Sequence, residues 1–187
     1  MTTPDWAEPV IRRRLSVLLV AVAVLALVTW RVGVGPDLPA FWYLAVVGVA
    51  LAFIDVALKR LPDPLTIPSY AAGLVSLGAA ALFIDGGGAR FGHALLGMPA
   101  LLLLYAAQWF AVPDHIGLGD VKLAGVLGLY LGWLGLPAWV AGTCAGYILA
   151  AVYSLGLLAS RRATLKSQIP YGPFMLAGAF AAVLVYA

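Results

Sequence analysis

The chain has 187 residues, of which 64% are hydrophobic and 10% charged, with a formal net charge of +3 and a mean hydropathy of +1.02. Soluble domains carry about a quarter charged residues, so this composition excludes an ordinary water-soluble enzyme and predicts an integral membrane protein. The small, scattered positive charge argues against a nucleic-acid partner. A single cysteine, Cys144, excludes an internal disulfide and a multi-cysteine zinc site. It lies in an apolar run and reads as a small packing residue.

A hydrocarbon core of about 30 Å takes ~20 helical residues to cross. Hydropathy predicts about seven spans, near Leu15 to Trp30, Phe41 to Leu58, Ile67 to Ile84, His93 to Ala111, Val121 to Leu134, Ala138 to Ala159 and Tyr171 to Ala187, the fifth starting nearer Gly117 if extended. These runs lack the alternation of a membrane barrel, so the fold class is all-α, a polytopic transmembrane helix bundle. Residues 1–36 read as an N-terminal cytoplasmic segment and a retained first helix, because no clear small-residue cleavage site precedes Pro36. Residues 37–187 form the membrane core. With seven spans, Arg12, Arg13, Arg14, Lys59, Arg60, Lys122, Arg161, Arg162 and Lys166 share the side of the N-terminus, and Arg31 and Arg90 fall opposite. The bias puts the N-terminus in the cytoplasm.

Two aspartates then stand out. Asp55 lies inside the second span, one turn before Lys59 and Arg60, where an unpaired carboxylate is costly. A salt bridge to Lys59 is its structural alternative. Pro62 and Pro64 end that helix, Thr66 is expected to cap the next, and Pro68 is tolerated in its first turn. Asp63, between the prolines, reads as a turn residue or a charge partner for Lys59 or Arg60. Further on, Gly86, Gly87, Gly88 and Arg90 read as a flexible outer loop, without the lysine-serine/threonine of a phosphate-binding loop. His93 and His115 have no partner at metal-ligand spacing, so no metal is expected.

Gly117 and Gly119 permit unusual backbone and close approach of another segment, and Asp120 then opens a helix, with an N-cap as its structural alternative. Asp55 ends a span going in and Asp120 begins one going out, so both fall on the cytoplasmic side. Two carboxylates within a few Å cannot both ionise easily, so one holds a proton while the other acts as base toward a shared water. The two titrate as a coupled unit. Such a pair suits hydrolysis of an amide. A small proton- or cation-coupled transporter using the same carboxylates is the rival, although a transporter is expected to hold them nearer mid-bilayer. A structural or assembly subunit that has kept the fold without the chemistry is a third reading. The segment from Ile169 to Phe174 reads as a turn and helix start near the site.

Asp55 followed by Leu61-Pro62-Asp63 and Leu65-Thr66, then Gly117-Leu118-Gly119-Asp120-Val121-Lys122-Leu123, then Ile169-Pro170-Tyr171-Gly172-Pro173-Phe174, resemble the type IV prepilin peptidase family of GxGD membrane aspartyl proteases. The resemblance is to a short form without the paired N-terminal cysteine motifs of bifunctional members, so methyltransferase activity is not expected. It implies cleavage of the leader of a prepilin or pseudopilin, without a cofactor, at the cytoplasmic face of the bacterial inner membrane, with membrane lipid as the surroundings. By motif position Asp55 and Asp120 match the catalytic pair, and Asp63 matches a motif aspartate outside that pair. The resemblance implies substrate-binding or supporting roles for Gly117, Gly119, Lys122, Pro170, Gly172 and Pro173. A snorkelling interfacial lysine is the alternative for Lys122.

Overall fold

A computed structural model describes residues 4–112, 116–161 and 169–187; His115, Arg162 and Lys166 lie outside the described residues. Among the described residues there are eight α-helices and no strand: α1 (Glu8–Arg12), α2 (Arg14–Val32), α3 (Leu38–Leu58), α4 (Asp63–Ala81), α5 (Gly87–Ala111), α6 (Leu118–Leu134), α7 (Leu136–Ala159) and α8 (Gly172–Tyr186). The fold is therefore all-α as expected, and α2 to α8 overlap the seven hydropathic segments in order.

Helix boundaries follow turn chemistry more closely than hydropathy. Gly33, with φ 76°, ends α2, and Gly135, with φ 103°, separates α6 from α7. Prolines occupy the first turns of α3, α4, α7 and α8, where a missing N–H costs nothing. α4 and α5, which start at Asp63 and Gly87, begin well before the apolar runs that announced them, because polar, glycine and proline residues of a first turn carry no hydropathy. α6 does begin next to Gly117. Two expectations need correction on the same ground. Gly87, Gly88 and Arg90 belong to the first turn of α5 rather than to a loop; Gly86, at φ 70°, makes the turn, and Gly87 lies directly on the Ala81 backbone. Thr66 does not cap α4, which starts earlier at Asp63; its hydroxyl donates back to the Pro62 carbonyl at 3.2 Å.

α6 is the central element. From Leu123 to Trp133 every residue is buried, the mark of a helix surrounded on all sides, and α4, α5, α7 and α8 pack around it. The closest seam joins it to α5. A Cβ placed on Gly97 would sit 2.5 Å from the Gly128 carbonyl oxygen, and one on Gly132 would sit 2.5 Å from that of His93. Backbones meet here without side chains between them, as small residues allow in membrane bundles. α7 and α8 meet the same way, with Gly178 over the Gly142 carbonyl at 2.5 Å from an added Cβ. Arg31, at the end of α2, donates to the Leu184 and Val185 carbonyls at 2.8 and 2.7 Å, closing the end of α8.

The outward faces are apolar. Leu19, Trp30, Leu82 and Phe110 are all largely exposed, an arrangement suited to lipid rather than water. α2, α3, α5 and α7 are long and apolar enough to cross a membrane, and α8 is a shorter apolar helix. Cys144 lies on the outer surface of α7, not in a packed seam.

Candidate active site

The end of α3 and the starts of α4, α6 and α8 gather at one end of the bundle. Asp55 is the fourth residue from the end of α3 and 4% exposed; Asp120 is in the first turn of α6 and 9% exposed. Although distant in sequence, both line one cleft of about 380 Å³, together with Asp63, Gly117, Gly119 and Lys122. Counting spans put the two aspartates on one side; the fold goes further and brings them to one cleft.

Each carboxylate is held by a backbone N–H. Gly172 donates to Asp55 Oδ2 at 2.9 Å, and Gly117 donates to Asp120 Oδ2 at 3.0 Å. Asp120 is not the N-cap: Gly117 is, in extended conformation, and Asp120 at the third helical position reaches back to it, half of a capping box. These bonds orient both carboxylates through backbone N–H groups, which only proline at 117 or 172 would remove.

Leu61 links the three motifs. It is buried, and a Cβ on Gly119 would lie 2.9 Å from its Cβ, while one on Gly172 would lie 3.4 Å from its Cδ2 and 3.0 Å from Asp55 Oδ2. Glycine at 119 and 172 is thus a matter of close approach around Leu61. Sequence reading gave Leu61 no role, because a leucine after a helix stop carries no local signal of what will pack on it. Tyr70 was also missed; its hydroxyl donates to the Lys122 carbonyl at 2.6 Å, tying α4 to α6.

Asp63 begins α4 rather than sitting in a turn, and its ion-pair partner is Lys122, with Nζ 2.6 Å from Oδ1. Lys59 and Arg60, the partners expected from proximity in sequence, precede the break between α3 and α4, whereas the fold brings α6 alongside. The pair is 40% and 53% exposed on its two side chains, so screening leaves it worth at most ~1 kcal/mol. Lys122→Met is accordingly expected to change thermal stability in detergent by less than about 1 kcal/mol. A larger loss would show that the pair anchors the site. Pro173 lies in the first turn of α8, and Pro170 in the segment leading to it.

Two buried, oriented carboxylates in a cleft can act as general acid and general base on a water held between them. Among the described residues no group of three or more His, Cys, Asp or Glu side chains could hold a metal ion.

Residues 42–187 match the profile of the type IV leader peptidase family. The chain is 31% identical to the prepilin leader peptidase/N-methyltransferase of Aeromonas hydrophila over 181 residues, which are 94% of this chain and 57% of that one. It is 32% identical over 141 residues to the protein of the same name from Aeromonas salmonicida (strain A449), covering 73% and 45% of the two chains. The corresponding protein of Burkholderia pseudomallei (strain K96243) is 34% identical over 156 residues, covering 77% and 45%. No solved structure gives a significant match. The apolar helix bundle is that of an integral membrane protein, and the relatives are bacterial. The chain belongs to the type IV leader peptidase family, and it spans about half the length of the curated relatives it matches.

Proposed function

We propose that this protein is an aspartic endopeptidase that removes the leader of type IV prepilin-like substrates, with Asp55 and Asp120 as its catalytic pair. The observation that carries the reading is their convergence: two carboxylates from different helices line one cleft, each oriented by a backbone N–H. In this reading one carboxylate takes a proton from the shared water as it attacks the scissile carbonyl. The other, protonated, hydrogen-bonds the developing oxyanion, and a proton then passes to the leaving amine. Gly117, Gly119, Asp63 and Lys122 line the cleft, and Gly172, between Pro170 and Pro173, supports it through its N–H to Asp55. Residues 37–187 form the protease core behind the segment 1–36. The seven helices α2 to α8 each cross the bacterial inner membrane, with the N-terminus and the cleft in the cytoplasm. The proposal covers peptide hydrolysis alone.

A proton- or cation-coupled carrier would be expected to hold these groups near the middle of its helices. Asp55 stands one turn from the end of α3, and Asp120 in the first turn of α6, which favours the peptidase. The test is co-expression with a prepilin-like substrate, read by gel shift and N-terminal mass. The native chain is expected to shorten the substrate. If shortening proceeds equally with Asp55→Asn and with Asp120→Asn, the two-aspartate reading is wrong.

A further inference from the structure

The Asp55 carboxylate is oriented by a peptide N–H whose own position has to be set by something, and the residue before that N–H is a tyrosine clamped from two sides. Tyr171 is the N-cap of α8, and its carbonyl accepts from Phe174 N–H at 3.1 Å and Met175 N–H at 3.2 Å. The N–H of Gly172, the first helical residue, has no acceptor within its own helix; it goes to Asp55 Oδ2 instead. Because the peptide unit is planar, the direction of that N–H follows from how Tyr171 is held.

The Tyr171 side chain is held by two helices that place no residue among those lining the cleft. Its ring packs 6.0 Å from that of Tyr105 on α5 and 6.1 Å from that of Tyr147 on α7, centroid to centroid, and those two stack on each other at 5.5 Å. Tyr105 is 2% exposed, and Gln108 Nε2 donates to the Tyr147 hydroxyl. Aromatic contacts of this geometry add to area burial. The hydroxyl contact between Tyr105 and Tyr171, at 3.5 Å, stands at the outer limit of a hydrogen bond, so ring packing does most of the holding.

The geometry points to Tyr171 as a positioning residue for Asp55: the stacked tyrosines of α5 and α7 fix its ring, the ring fixes the Tyr171–Gly172 peptide, and the N–H of that peptide orients the carboxylate toward the cleft. The inference rests on the peptidase reading for its kinetic consequence, and on geometry alone for its structural one. If the three tyrosines merely filled space, their loss would lower stability without acting selectively on turnover or on the Gly172 amide.

The experiment compares Tyr171→Phe and Tyr171→Ala with the native chain in detergent, with Asp55→Asn as control. Two quantities are read: the KM and kcat for a prepilin-like peptide, and hydrogen exchange in the fragment spanning 169–174. In that fragment Pro170 and Pro173 carry no N–H, so few amides compete with that of Gly172. For Tyr171→Ala, kcat is expected to fall about tenfold or more with KM within about twofold of native, as small misplacements of a reacting group do, and exchange in the fragment is expected to accelerate about tenfold. Tyr171→Phe, which keeps the ring, is expected to restore both. Native kcat or native exchange in Tyr171→Ala overturns the inference. If Asp55→Asn cleaves as well as the native chain, the two-aspartate reading falls, and the exchange measurement still decides whether Tyr171 holds the amide.

Discussion

Asparagine at either Asp55 or Asp120 is expected to reduce leader cleavage by a factor of about 10² to 10⁴, to below detection in most assays. The substitution is close to isosteric, and an asparagine carbonyl oxygen can still accept from the Gly172 or Gly117 N–H that now holds each carboxylate. The cleft should therefore keep its shape, so that the loss reports on chemistry and not on folding. An amide N–H can donate a hydrogen bond, but an amide can neither take a proton from water nor give one to the leaving amine. The double variant is expected to be no slower than the slower single one, because residues acting as a unit show strongly non-additive losses. Purified protein, a labelled prepilin-like peptide and all three variants are sufficient. Two moderate losses that multiply in the double variant would mean that the aspartates act separately, each on its own step.

The second large effect is expected far from the cleft, in the seam between α5 and α6. Gly97→Val should prevent accumulation of stably folded protein. The first added carbon would already lie 2.5 Å from the Gly128 carbonyl oxygen and 3.0 Å from the Gly132 Cα. Backbone cannot rotate aside as a side chain can, so the helices would have to separate along α6, the most buried element. Overpacking costs about 1 to 3 kcal/mol where side chains can yield, and the upper end or beyond is expected here. Because α6 carries Asp120 in its first turn, any protein that does fold should also be impaired in cleavage. Gly92→Ala, on the same helix with nothing within 4 Å of an added Cβ, is the matched control. It is expected to leave stability unchanged, or to raise it by up to about 1 kcal/mol through helix propensity. Yield of extracted protein and thermal unfolding in detergent distinguish the two. Equal behaviour of both variants would show that the seam is not tight.

Much of this protein was legible in its sequence because a bilayer imposes a coarse rule: apolar stretches of about 20 residues become helices, since unpaired backbone groups have no water to bind. That rule determined the all-α class and the order of the helices α2 to α8. It also led, through the alternation of spans, to the expectation that the ends carrying Asp55 and Asp120 share a side. The costly placement of Asp55 inside an apolar run marked it as a candidate without any structure, and three ordered motifs named the family. Helix starts were less legible, as at Asp63 and Gly87, because their first turns are polar or glycine-rich.

Only the tertiary structure decided which groups face one another. Asp63 pairs with Lys122 of α6, far from it in the chain; Asp55 is held by the N–H of Gly172 on α8, and Leu61 fits between Gly119 and Gly172. These contacts join segments far apart in the chain, and each depends on how closely two backbones approach. A sequence records that closeness merely as a glycine, which has many other uses. Hydropathy determined where the helices are, because transfer from water to lipid is a property of each segment by itself. The cleft was decided by packing, which is a property of pairs of segments and is written in neither one alone.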